Sequence, residues 1–166
     1  MDIILIGRIA EDGVLKLAEQ YGERICGRYS RRYVSRGISE LSADFADDAA
    51  MSIMNGFCAD VYVIGRQGVF QALYRLGESR DCGLRVWPEK IPVKQFCIEL
   101  SDLFDVSPYR ISSLGCVLVC SDEGGRLVQE LRSAGYEAAV IGYITDDKAR
   151  CALTAAGLQY LVPDES

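Results

Sequence analysis

The stretch Pro88–Cys120, PEKIPVKQFCIELSDLFDVSPYRISSLGCVLVC, decides how the rest of the chain is read. Val93, Phe96, Cys97, Leu100, Leu103 and Phe104 recur at i, i+3, i+4, i+7, i+10 and i+11, one apolar face at the helical period. An amphipathic helix is expected there, with Pro92 in its first turn, where a missing N–H costs nothing. Ser107-Pro108 opens a turn, Tyr109–Ser113 offers one further short helix, and Gly115 breaks it. Cys116–Cys120 is short and apolar throughout, as a strand buried on both faces is.

Upstream of this stretch, Ile3–Ile6 reads as a strand closed by Gly7, and Glu11 to Tyr21 as a helix. Ser39–Met54 carries an apolar stripe of Ile38, Leu41, Phe45, Ala49 and Ile53, which predicts a second helix ended by Gly56. Val61–Ile64 predicts a strand, turned by Gly65-Arg66-Gln67-Gly68 into a helix over Val69–Glu78, and Leu84–Trp87 a further strand. Downstream, Glu123–Ser133 reads as a helix and Ala138–Ile144 as a strand. Asp146-Asp147-Lys148 is expected to turn that strand into Arg150–Thr154 as a hairpin, with Tyr160–Val162 adding an edge and Pro163–Ser166 a frayed tail. From Val61 to Ile144 the order is β-α-β, a crossover helix, then β-α-β, close to a ferredoxin-like half-sandwich. The expected class is α+β, helices packed on a mixed sheet.

With 166 residues, 49% apolar and 25% charged, the composition is that of one soluble globular domain over 1–166. No run approaches the roughly 18 apolar residues of a membrane span. The start, MDIILIG, has an acid in place of a basic leader, so a cytoplasmic protein without membrane contact is expected. The net charge of −6 argues against a general nucleic-acid binder. The seven cysteines are odd in number and scattered, without a C-x-x-C pair, and read as reduced thiols. The sequence has no histidine, which removes the commonest general base, His-based triads and most zinc sites, and no metal site is expected.

Two places could hold an anion. A strand, a glycine turn and a helix start bring free N–H groups and the helix dipole together, which makes Gly65, Arg66 and Gly68, with Gly115 after the central helix, ligand-binding candidates. A tight turn uses the same glycines. Arg24, Arg28, Arg31, Arg32 and Arg36 put five cations into thirteen residues with no acid among them and with Tyr29 and Tyr33 interleaved. Arg28, Arg31 and Arg32 are its anion-patch candidates. The plainer account is a solvated helix-to-helix connection. Glu40, Asp44, Asp47 and Asp48 likewise read as a solvated face rather than a cation site.

The order of Ile91-Pro92-Val93, an acidic helix, Ser107-Pro108-Tyr109, a small-residue turn with Gly115 and an apolar strand resembles the C-terminal domain of aminoimidazole-ribonucleotide (AIR) synthase relatives. Among these it is most similar to HypE-type hydrogenase-maturation proteins. Ala138–Thr145, AAVIGYIT, resembles that domain's AAVIGxxT strand, and Asp2–Gly7 with Asp12-Gly13 its opening. The resemblance spans nearly the whole chain and implies a PurM C-terminal-like fold.

Full-length relatives carry an N-terminal domain that supplies most of an ATP and metal site, with nucleotide between the domains. The chain opens where the C-terminal domain would, so an absent N-terminal domain is expected. The family's Asp-Val/Ala-Thr-x-Gly-Gly motif falls on Val63 at the aspartate, Gly65 at the threonine and Gln67 at the first glycine, and Gly68 alone keeps the pattern. A valine cannot ligate a hard cation, which requires oxygen. HypE-type proteins also end in a cysteine-bearing tail, whereas this sequence ends Pro-Asp-Glu-Ser.

The leading expectation is therefore a non-catalytic domain that binds a partner or a small ligand and associates with itself as a homodimer. One alternative is half of an ATP-dependent enzyme, completed by a separate AIR synthase-like N-terminal protein that brings ATP and magnesium. Another is a sensor of an anionic metabolite.

Overall fold

The computed structural model describes residues 1–57 and 59–163. In chain order the elements are β1 (Asp2–Ile6), α1 (Glu11–Arg28), α2 (Arg31–Ser39), α3 (Asp48–Asn55), β2 (Asp60–Val63), α4 (Gly68–Arg80) and β3 (Gly83–Val86). A 3-10 turn at Pro88–Lys90 leads to α5 (Gln95–Leu103), β4 (Val117–Ser121), α6 (Gly124–Ser133), β5 (Ala138–Thr145), β6 (Arg150–Thr154) and β7 (Gly157–Tyr160). The strands form one sheet in the order β2-β4-β1-β5-β3-β6-β7, mixed because β3 and β6 pair in parallel while the other pairs are antiparallel.

The run of four aliphatic residues in β1 explains its central place. Ile3 and Leu5 enter a core with α1, α2, α4 and α5, whereas Ile4 and Ile6 enter a second core with α3 and α6. All four are fully buried. Burying four such side chains contributes on the order of 8 kcal/mol, an upper figure because the unfolded chain already hides part of that surface. Helices thus cover both faces, a fold of the α+β class.

The βαβ-βαβ order of the inner part holds. Its strands fall into two antiparallel pairs, β4 with β2 and β5 with β3, and β1 is inserted between them.

Several local expectations give way to tertiary contacts. Pro92 lies before α5, in a loop held by the Ile9 N–H on the Pro92 carbonyl at 2.9 Å. No helix forms over Tyr109–Ser113, because its polar backbone is used by two other elements. The Tyr109 carbonyl accepts from Phe70, the Ser112 carbonyl accepts from Gly13, and the Ser113 N–H donates to Gly65.

The expected helix Ser39–Met54 is broken: α2 runs through Ser39, the chain is irregular to Asp47, and Asp47 caps α3 by accepting from Ala50 at 2.9 Å. Phe45 is drawn out of any helix by its N–H on the Gly115 carbonyl and by the room beside Gly7, where a Cβ would stand 2.8 Å from its ring.

The arginine stretch is also more helical than a connection. α1 extends to Arg28, with non-helical backbone at Tyr21 just before Gly22, and only Tyr29 and Ser30 separate it from α2. The Ser30 side chain caps α2 by accepting from the Tyr33 N–H at 3.2 Å.

The hairpin expected across Asp146–Lys148 is corrected: β3 lies between β5 and β6, which do not pair with one another. Gly83 permits this, since a Cβ there would meet the Asp147 carboxylate at 2.2 Å and the Thr145 hydroxyl at 2.4 Å. Of the expected tail, residues 164–166 lie outside the described residues, as does Cys58. No described helix is long and apolar enough to cross a membrane.

Candidate functional site

The Ser107–Ser113 loop ties two helix starts together. At α1, Ser112 accepts from the Gly13 N–H at 2.9 Å and the Ser113 hydroxyl accepts from the Ala10 N–H at 2.8 Å. At α4, Tyr109 accepts from the Phe70 N–H at 3.2 Å, and the rings of Phe70 and Tyr109 stack at 4.7 Å and 8°. Gly68 makes the close approach possible. Its φ is +85°, and a Cβ would fall 2.4 Å from the Tyr109 carbonyl oxygen and 2.8 Å from that of Ile111.

Beside this turn, between the end of β2 and the first turns of α4, lies a cleft of about 470 Å³. Gly65 and Gly68 line it at the turn, Val63 and Ala72 give it apolar surface, and Gln67 and Gln71 bring amides. Arg66 and Arg75 bring two guanidinium groups, and among the described residues no carboxylate lines it. Arg75 Nη2 donates to Gln67 Oε1 at 3.3 Å, which orients both side chains.

Asp12, at the start of α1, is an acid within reach of the Arg66 charge. Burial acts to raise its carboxyl, but the Ser112 hydroxyl, Lys16 at 3.0 Å and the charge of Arg66 hold it below the ordinary carboxylate range. The cleft therefore favours an anion.

The structure brings Gly65, Arg66 and Gly68 together at the cleft, and Gly115 does not line it. Gly115, at φ +92°, packs against the Ala43 carbonyl, where a Cβ would lie at 1.9 Å. Gln71, Ala72 and Arg75 escaped the sequence reading, although each stands three, four or seven residues after Gly68 and so on its face of α4.

Val63, placed by the resemblance at the aspartate position, is 73% exposed at the cleft. An apolar side chain beside two cations does not fit a magnesium ion. Among the described residues no three Cys, Asp or Glu side chains gather as a metal site.

Arg28, Arg31 and Arg32 are exposed at the α1–α2 corner, away from this cleft. The acids close to them are engaged or shared. Tyr33 donates to Glu99, which pushes its phenol up to about 12, and Glu99 and Asp102 line a shallow hollow with Arg28.

A half-buried ion pair lies between the end of β1 and the start of α1. Glu11, its side chain inaccessible, accepts from Arg8 Nε at 2.6 Å and from the Ser42 N–H at 3.0 Å. Burial, with the charge of Glu11, pushes the thiols of Cys97 and Cys116 up to about 12. They are structural, unreactive sulfurs.

No protein-family model matches the chain, and no curated protein matches its sequence. Solved structures do match in fold. A HypE–HypF complex aligns at a TM-score of 0.79 and 20% identity over 98% of this chain and 53% of that one. Hydrogenase maturation protein HypE in complex with ATP aligns at 0.80 and 15% identity over 99% and 51%. Thiamine-monophosphate kinase from Stenotrophomonas maltophilia K279a aligns at 0.65 and 14% identity over 91% and 49%. The chain spans about half the length of each of these proteins. Its fold is that of the C-terminal domain of AIR synthase-related proteins, HypE among them.

Proposed function

We propose that this chain is a non-catalytic AIR synthase-related domain that holds a small anionic ligand in the β2–α4 cleft. The observation that carries the reading is that Arg66 and Arg75 share a cleft with no carboxylate among its described lining, next to Val63 where relatives would place a metal-binding aspartate. Such a site neutralises an anion and offers it amide donors. Its described lining has no group placed to activate water or move a proton, and the sequence has no histidine to do so.

Self-association as a homodimer belongs to the same reading, supported by the exposed Val63, Leu158, Tyr160 and Val162. A cytoplasmic location is supported by the free cysteines among the described residues. A second reading is half of an ATP-dependent enzyme completed by a separate N-terminal partner. It is favoured by the HypE solved with ATP, of which this chain covers 51%. On that reading ATP and magnesium would be held mainly by the partner.

The test is thermal denaturation with AMP and ATP, each with and without magnesium, on protein whose mass is fixed by light scattering. Ligand at 100 times its dissociation constant stabilises by about 2.7 kcal/mol, a shift of about 8 °C for a chain of this size. Shifts without magnesium, lost in Arg66→Ala and Arg75→Ala, support the anion site. Shifts that require magnesium and the added N-terminal protein support the second reading. No shift under any condition removes both, and a monomeric mass removes the homodimer.

A further inference from the structure

The α1–α2 corner is arranged against its own electrostatics. Arg28 sits in the last turn of α1, where the negative end of the helix dipole suits a cation. Arg31 and Arg32 open α2, where the positive end does not, and no acid stands in that first turn. Within α2, Arg32 is four residues before Arg36, so these like charges are neighbours on its surface, and Arg28 ends the helix before it. Among the described residues the single ion pair made by these arginines is Arg36 with Glu40 at 3.4 Å. Arg24 lies over the Phe104 ring at 4.8 Å instead.

The corner is also stiffly backed. The rings of Tyr29 and Tyr33 lie 5.5 Å apart, and Tyr33 meets Phe96 edge-on at 5.6 Å. On a molecule of net charge −6, this is an exposed cationic cluster in which, among the described residues, Arg28, Arg31 and Arg32 make no ion pair.

We propose that this corner, through Arg28, Arg31 and Arg32, docks an acidic segment of a partner protein. The shape favours a macromolecule over a free anion. The hollow beside Arg28 already contains Glu99 and Asp102, and Arg31 and Arg32 stand outside it on open surface. The net charge disfavours nucleic acid, whose continuous line of phosphates would run on over the acidic remainder of the surface, which a short acidic segment need not reach. An acidic segment would meet the arginines and the positive end of α2 at once.

The test is fluorescence anisotropy of a labelled Glu/Asp peptide against the wild-type chain and two double reversals of equal charge. One is Arg31→Glu/Arg32→Glu. The other is Arg126→Glu/Lys148→Glu, remote from the corner. Binding is expected to weaken with added salt, and about tenfold in R31E/R32E but not in R126E/K148E, since each exposed pair contributes a few-fold. The free R31E/R32E chain should melt about 3 °C higher than wild type, because acids suit a helix start. The neutral pair Arg31→Gln/Arg32→Gln should bind with intermediate affinity.

Equal loss in both reversals, or no binding of the peptide, overturns the proposal. So do competition by inorganic phosphate alone, binding only to a single-stranded oligonucleotide or to phosphatidylserine vesicles, and a lower melting point for R31E/R32E.

Discussion

Replacing Gly68 with alanine tests whether the turn at the cleft is held as described. The residue sits at φ +85°, where an L side chain costs about 1–2 kcal/mol. The new methyl would also overlap two carbonyl oxygens of the Ser107–Ser113 loop, at 2.4 and 2.8 Å. Both are backbone atoms, and the Tyr109 carbonyl is held by the Phe70 N–H, so relief requires the loop to move, at about 1–3 kcal/mol. Alanine restricts the unfolded chain and returns about 0.5–1 kcal/mol.

The net loss is about 3 kcal/mol. With an unfolding entropy of about 2.1 cal/mol/K per residue over 166 residues, the midpoint should fall by about 9 °C. Gly65→Ala is the internal control. It lies three residues earlier in the same turn, outside the positive-φ region, with no atom within 4 Å of its added Cβ. Its midpoint should stay within about 2 °C of wild type. Thermal and urea unfolding followed by circular dichroism would measure both. A Gly68→Ala midpoint as close to wild type as that of Gly65→Ala would refute the reasoning.

Two further outcomes follow from the buried and half-buried groups. The Asp12 carboxyl lies below its ordinary 3.8 in the folded state, so its stabilisation is full above that value and disappears as pH falls through the lowered one. Asp12→Asn should therefore be less stable than wild type near neutrality, with the gap closing below about pH 4; a gap constant down to about pH 2 would contradict this. Cys97 and Cys116, pushed up to about 12, should resist an aromatic disulfide reagent at mildly alkaline pH until denaturant is added. Their modification in the folded protein, read by mass spectrometry, would refute the packing assigned to them.

What the sequence made legible was what neighbours in the chain decide. The apolar face from Phe96 to Leu100, the two-sided run of β4 and the Gly65–Gly68 turn all follow from local period and punctuation. The failures lie where distant segments compete for the same backbone. Tyr109–Ser113 has the residues for a helix, but α1 and α4 take its polar groups. Leu41 and Phe45 continue a helical stripe, yet Phe45 packs between Gly7 and Gly115. The strands either side of Asp146–Lys148 look like a hairpin because nothing local announces β3, which arrives from more than fifty residues earlier. The site was half visible for the same reason: the turn is contiguous, whereas Asp12 reaches it only through the fold.

The position of β1 bears on how the molecule is made. Asp2–Ile6 is synthesised well before its two partners, Val117–Ser121 and Ala138–Thr145, which follow more than a hundred residues later. At about 5–20 residues per second, this aliphatic strand waits several seconds or longer with both edges open. Pairings so distant in sequence also close slowly, since loop entropy is lost before contacts compensate it. Until β4 and β5 are synthesised, the aliphatic run Ile3–Ile6 has open edges that other chains can add to. The nascent protein is thus a natural client for chaperones, and its yield in the cell should track their supply more closely than it tracks the stability of the finished fold.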